Sequence, residues 1–409
     1  MRVRDGWPLV WSLALAQLVS WGSIYYSFSL FVGDMEAELG WGRPALNGAL
    51  SLGLMASGLA AYPVGAWIDR HGGRAVMTAG SLLGAALLLA WSQIHSLVGF
   101  YLLWLGLGLA LSATLYDPVF AVVTRRFPHS YRTRITALTL IGGFASTVFI
   151  PLTKLFIDTL GWRHALVALA LCNILICLPI HFWLLDDRGP GAEAPSEPGP
   201  SVVELKRIGE EAMRRALRHR VFWSLAICFT AYYATFSAMT FHLIPLLGER
   251  GVAGDIIVAT YATIGPAQVA GRIIVFSLRR VLSSANAGRL AFAALPVSVL
   301  ILLAFPGETP ALFAFAILYG LGNGVVTVVR GTAVPDLMWR EGYGAINGAL
   351  ALPSNVARAV APFGAAWIWS ISNAYPPVLW MIFFGAIAAA AGFWLAASWG
   401  RVAVPPRGE

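Results

Sequence analysis

Twelve apolar runs, each long enough to cross a bilayer, divide this chain of 409 residues. They fall at about 8–33, 44–67, 75–94, 97–124, 132–157, 163–185, 220–247, 255–278, 288–305, 309–334, 343–370 and 376–399. A helix needs about 20 such residues to span a hydrocarbon core of ~30 Å. No water reaches the backbone there, so each run must satisfy its own N–H and C=O groups as a helix. With 58% hydrophobic and 12% charged residues and a mean hydropathy of +0.71, the composition lies outside the range of soluble domains. The fold class expected is all-α integral membrane, with 12 transmembrane helices in two pseudo-symmetric six-helix bundles.

The chain is basic, with 28 Lys and Arg against 20 Asp and Glu. Such an excess can mark a nucleic-acid binder, but here the basic residues sit between apolar runs. With the N-terminus inside, 21 of the 28 fall in inner segments and only Arg43, Arg163 and Arg250 in outer loops. Lys154, Arg272, Arg330 and Arg358 lie within spans. The positive-inside rule then puts both termini in the cytoplasm of a multi-pass protein of the cell membrane, inner or plasma. The first run lacks a small-residue cleavage site and reads as a retained helix. Cys172, Cys177 and Cys228 fall inside apolar runs, with neither disulfide nor metal spacing, and read as packing residues.

Between the sixth and seventh runs the composition changes to a Pro/Gly-rich stretch and then a charged helix, "DDRGPGAEAPSEPGPSVVELKRIGEEAMRRALRHR". This is read as a cytoplasmic linker, 186–219, joining an N-terminal bundle, 1–185, to a C-terminal one, 220–409. Val202, Leu205, Ile208, Ala212 and Ala216 follow helical spacing, as a face lying on the inner leaflet or as one side of a solvated helix. Weak internal repetition, "GLGLALSATLYDP" against "GLGNGVVTVVRGT", sets Asp117 beside the position matching Arg330. Small residues recur every fourth position in the second run (Ala49, Gly53, Ser57, Ala61, Gly65) and in the eighth (Ala259, Thr263, Ala267, Gly271). The eleventh has Ala345, Ala349, Ala357, Ala361 and Ala365. Such ladders let helix backbones approach closely, as plain packing or as faces on which two halves rock.

The loop "GAWIDRHGGR" resembles the signature loop of the major facilitator superfamily at Gly65, Asp69, Arg70, Gly72 and Arg74, with Gly73 replacing a basic residue. The resemblance implies the major facilitator fold and a gating loop that controls conformational switching without touching substrate. "DGWPLVW", "RRFPHSYRTRITALTLIGGFAS", "FHLIPLLGERG" and "GPAQVAGR" together resemble the monocarboxylate transporter-like branch and its oxalate/formate antiporter relatives. In those antiporters cationic residues of helices eight and eleven clamp a carboxylate, which by resemblance points to Arg272 and Arg358. The branch often carries an Asp four residues before the helix-eight Arg. Gln268 stands there instead, which weakens a proton role at that site.

Read from the residues, Arg358 lies near the middle of its run, a placement that costs about 2.5–3.5 kcal/mol unless compensated. Asn355 and Ser354 precede it by three and four positions, with Asn347 farther along the same face, so a polar stripe lines a wet path. A guanidinium stays charged and donates two parallel hydrogen bonds to a carboxylate. The structural alternatives are an internal ion pair for Arg358 and snorkelling for Arg272. Asp117, before Pro118, is the proton-coupling candidate, with a salt bridge to Arg330, Arg70 or Arg74 as its alternative. His242 is a second titratable candidate or a hydrogen-bonded helix residue. Tyr25, Tyr116 and Tyr233 are candidate cavity residues, or packing aromatics. Lys154 and Asp158, four apart, are expected to pair.

The reading is a secondary active carrier of a small organic anion, a mono- or dicarboxylate, working by alternating access. Symport with protons and anion exchange stay open. Proton-driven efflux of amphipathic compounds and a transporter-derived sensor are the alternatives. No nucleophile with a base, no metal-ligand spacing and no GxxxxGK[ST] loop is present, so an enzyme is not expected, and no cofactor, metal or nucleic-acid partner is implied. The sequence leaves the oligomeric state open, a monomer included.

Overall fold

The computed structural model describes residues 6–127, 130–185, 211–278, 282–339 and 343–400. Among these the chain is helical, without strands, and each apolar run becomes one pass. α1 runs through Trp7–Ser20, Trp21–Tyr26 and Phe28–Leu39; α2 is Arg43–His71, α3 Arg74–Ser92. α4 joins Leu97–Thr114 to Tyr116–Arg126, and α5 joins Tyr131–Gly142 to Ala145–Leu160. α6 comprises Trp162–Cys172, Asn173–Cys177 and Ile180–Leu184. Then come α7 (Arg220–Glu249), α8 (Gly254–Ser277), α9 (Ser284–Ala304), α10 (Thr309–Leu337), α11 (Tyr343–Ser372) and α12 (Pro376–Trp399). Nine described helical stretches are by themselves long and apolar enough to cross a membrane. Bulky apolar side chains stand on the surface, among them Leu59 and Val98 at 72% exposure and Leu175 at 71%, as a lipid solvent requires. Helices alternate direction, so each has a near end, on the face where α1 begins, and a far end.

Two breaks have local causes. Pro118 has no N–H to give the carbonyl of Thr114, and α4 opens at Leu115 (φ −83°, ψ −156°). The freed carbonyl is satisfied from another helix, since the Gln17 side-chain amide donates to it at 2.5 Å. In α1 the segment Trp21–Tyr26 is a wide, π-type turn, and α6 has another at Asn173–Cys177. The two are joined where the Asn173 amide donates to the Ser23 hydroxyl at 2.7 Å.

Contacts gather the chain into two compact units: Met1–Ala194 with Thr240–Pro266 and Ala359–Asn373, and Pro195–Met239 with Ala267–Arg358 and Ala374–Glu409. The far ends of α7, α8 and α11 therefore pack with the first six helices. In that first unit α2 crosses α4 at a backbone contact: a Cβ on Gly53 would lie 2.6 Å from the Trp104 carbonyl oxygen, and one on Gly108 2.1 Å from that of Gly53. Gly65, on the same ladder, has nothing within 4 Å of its Cβ position, so the regular spacing is used for close packing at only part of its length. In the second unit α8 crosses α10 at Gly271 and Gly324, whose Cβ atoms would lie 2.5 Å from the Leu321 oxygen and 2.0 Å from the Gln268 oxygen.

The linker expectation changes at its described end. Residues 211–217 are helical, with Ala212 and Ala216 buried in protein, not laid on a leaflet, while Glu211, Arg214, Arg215 and Leu217 are exposed. Arg215 stacks 4.2 Å from the Trp339 ring. Val202, Leu205 and Ile208 lie outside the described residues, as does Asp5 of the opening motif.

Candidate functional site

Three arginines lie in apolar helices of the second unit: Arg272 on α8, Arg330 on α10 and Arg358 on α11. In the described spanning helices of this unit the one carboxylate is Asp336, close to the end of α10. Arg330 is the best defined. Its Nη1 donates to the Tyr233 hydroxyl at 2.7 Å, and its guanidinium stands 4.8 Å from the Tyr233 ring and 5.8 Å from that of Phe229. Its Nε is buried without an acceptor, and Arg330 forms no ion pair among the described residues. Tyr233 meets Tyr232 edge-on at 5.1 Å, and the Tyr232 hydroxyl donates to Asn323 Oδ1 of α10 at 2.9 Å. The α8–α10 glycine crossing sets Arg272 one residue from Gly271, beside α10.

On α11, Arg358 and Asn347 are half-buried and Asn355 is exposed. Ser354 is fully buried, its hydroxyl turned back to the Leu350 carbonyl at 2.8 Å, so the stripe is interrupted there. Gln268 is half-buried, with its carbonyl oxygen against Gly324.

The first unit holds the remaining candidates. Asp117 is exposed in the first turn of the second α4 segment, where the helix N-terminus favours a negative charge. It has no ion pair among the described residues, and Arg330, one proposed partner, is bound to Tyr233 instead. Tyr116 stacks on Phe120 at 5.2 Å and meets Trp21 at a tilt at the same distance. Tyr25 is fully buried, packed against Trp21 and, at 4.9 Å, Phe241 of α7. His242, also buried, has Nε2 2.9 Å from the Pro362 carbonyl oxygen of α11. Lys154 and Asp158 form the expected pair.

In the signature loop, Gly72 has φ 90°, a value that favours glycine. Gly73 has no room for the basic residue of the family pattern, because a Cβ there would lie 2.2 Å from a methyl of Val122. Arg74 opens α3 and stands 4.8 Å from the Phe182 ring. The side chains of Asp69 and Arg70 lie outside the described ones.

The feature least visible in sequence closes the far face of this unit. Arg43, at the start of α2, pairs with Glu36 of α1 at 3.0 Å and Glu249 of α7 at 3.4 Å. Its guanidinium covers the Trp369 ring of α11 at 4.0 Å, and Trp369 Nε1 donates to Glu249 at 2.7 Å. Deeper, Thr147 of α5 donates to the Ala262 carbonyl of α8 at 2.9 Å, and the Phe363 N–H of α11 donates to the Ser51 hydroxyl of α2 at 3.3 Å. Charged residues at loop edges are the sole sequence signal for this latch. Beside it, Trp162 and Arg163 donate to Glu38, and these bonds hold its carboxyl below the usual value.

Twelve apolar passes, guanidinium groups set into them, and a latch tying the ends of distant helices define a secondary transporter of the membrane. The chain belongs to the Major Facilitator Superfamily, whose sequence profile matches residues 13–362. Its fold is similar to that of a bacterial homolog of the human lysosomal transporter Spinster in an inward-facing, occupied conformation (TM-score 0.73, 14% identity, 96% of this chain and 98% of that one). It is likewise similar to a mutant of the nucleoside transporter NupG (TM-score 0.72, 14% identity, 95% and 98%). At such identities the likeness shows the fold alone. No curated protein matches the sequence.

Proposed function

We propose that this transporter carries a small organic anion, a mono- or dicarboxylate, by alternating access between two six-helix halves, 1–185 and 220–409, joined by the linker 186–219. One observation carries the reading: the described spanning helices of the second unit contain Arg272, Arg330 and Arg358 against one carboxylate, Asp336, close to the end of α10. A cation held in an apolar helix is costly, and a travelling acid supplies a countercharge. The same charge balance repels a cationic drug, which argues against efflux of such compounds. In this reading Arg358 and Arg272 bind the carboxylate, Asn347, Asn355 and Gln268 complete the polar lining, and Asp117 carries a coupling proton. With the termini in the cytoplasm of a cell membrane, the Arg43 latch closes the external side.

The test is uptake of labelled acids into proteoliposomes by wild type, Arg358→Gln and Asp117→Asn. Saturable uptake that excess acetate or oxalate suppresses and a cationic dye does not is expected. Arg358→Gln should abolish it, and Asp117→Asn should keep exchange while losing proton-driven accumulation. Suppression by the dye alone would reject the anion reading.

A further inference from the structure

The third arginine was not among the substrate contacts that sequence pattern suggested, yet its surroundings are those of an anion site. Arg330 lies seven residues from the near end of α10, roughly 10 Å along the helix. Arg272 lies five residues from the near end of α8. Arg358 lies at the middle of α11, 15 residues from Tyr343 and 14 from Ser372. Cationic groups are thus set at two depths in the second unit, one central and one toward the near face.

The contacts of Arg330 leave it ready for a ligand. Tyr233 occupies Nη1, while Nε is buried with no acceptor. A buried donor without a partner is rare in folded proteins because it forfeits its hydrogen bonds to water. The ε edge of a guanidinium, Nε with Nη2, is one of the two forks that take a carboxylate through paired bonds. The rings of Tyr233 and Phe229 cover the group, and Tyr233 is itself braced by Tyr232, fixed to Asn323 on the helix that bears Arg330. An aromatic clamp of this kind sets the direction of the fork in advance, and preorganised charge is what selective binding needs.

We propose that Arg330 is a further anion-binding residue, positioned by Tyr233, and that with Arg272 it receives a second acidic group of the cargo while Arg358 holds the first. The proposal rests on the anion-carrier reading. It makes a substrate with two acidic groups the preferred class, since a monoacid engages one depth only.

The experiment measures competition by acetate, malonate and succinate against labelled substrate uptake in proteoliposomes of wild type, Arg330→Gln, Arg330→Lys and Tyr233→Phe. Wild type should prefer the diacids. Arg330→Gln should weaken diacid competition about tenfold or more, as loss of a charge-assisted bond implies, and change that of acetate by less than about threefold. Arg330→Lys should restore part of the loss, and Tyr233→Phe should lower the diacid-to-monoacid ratio without abolishing uptake. Retained acetate competition in the same variant shows that it is folded. Unchanged diacid competition in Arg330→Gln, or equal losses for both acid classes in Arg330→Gln and Arg330→Lys, would overturn the helix-ten site and leave the carrier reading standing. Failure of every acid to compete in wild type would remove the carrier reading itself.

Discussion

The guanidinium of Arg43 lies 4.0 Å from the centre of the Trp369 ring, although the two stand near opposite ends of the sequence. Glu249 accepts from both, so a single cluster ties α2, α7 and α11 together at the far face. Half-exposed ion pairs contribute about 0–1 kcal/mol each, and a cation over an aromatic ring about as much. Together these contacts contribute no more than about a few kcal/mol to holding the three helix ends together.

Arg43→Gln should shift the protein toward opening at the far face. A loss of about 1 kcal/mol corresponds to about a fivefold change in the open population. The check is labelling of Ser51→Cys by a membrane-impermeant maleimide, with and without Arg43→Gln. The native cysteines give little background, since Cys177 and Cys228 are buried and Cys172 is half-buried. Equal labelling rates would show that the cluster does not hold this face shut.

Gln17→Leu should leave the Thr114 carbonyl without a donor at the α4 break. An unsatisfied buried acceptor costs about 1–3 kcal/mol, and the loss should appear as a lower thermal unfolding temperature in detergent. Gln17→Leu combined with Pro118→Ala should regain part of it, because the alanine N–H can serve the same carbonyl.

Two glycine substitutions should separate tight packing from spare space. Gly324→Ala drives a methyl to within 2.0 Å of the Gln268 oxygen and must push α8 from α10, while Gly65→Ala meets nothing within 4 Å. The first should destabilise by about 1–3 kcal/mol. The second should be neutral, or stabilise by about 0.5–1 kcal/mol through reduced chain entropy, even though Gly65 belongs to the signature loop. Unfolding curves of both variants decide the point.

Glu38 gives the pH prediction. Its carboxyl is held below the usual 4.5 by bonds from Trp162 and then Arg163. The folded state therefore binds its proton less readily than the unfolded chain. The stabilisation is complete above about pH 4.5, the unfolded value, and is lost as pH falls through the lower folded one. Glu38→Gln should flatten this acid limb and leave the temperature of unfolding near neutral pH little changed in its slope with pH. A wild-type limb identical to that of Glu38→Gln between pH 3 and 5 would show that the carboxyl contributes nothing there.

Much of this protein follows from one-dimensional information. Twelve apolar runs specify twelve helices because lipid leaves the backbone no other partners. The glycines of the loop after the second run specify a tight turn because glycine tolerates the backbone angles it needs, and Lys154 with Asp158 a pair because four residues make about one helical turn. These effects act within a few residues, so spacing alone reveals them. What the tertiary structure alone decided depends on which helix faces meet. Tyr233 beside Arg330, the Gln17 amide at the Thr114 carbonyl, Val122 filling the space where the family pattern has a basic side chain at Gly73, and Arg43 over Trp369 all join residues on different helices. Hydrophobicity drives every one of these helices into the bilayer but is indifferent to which neighbour each meets. That choice is made by shape and by the few polar groups that lipid cannot satisfy.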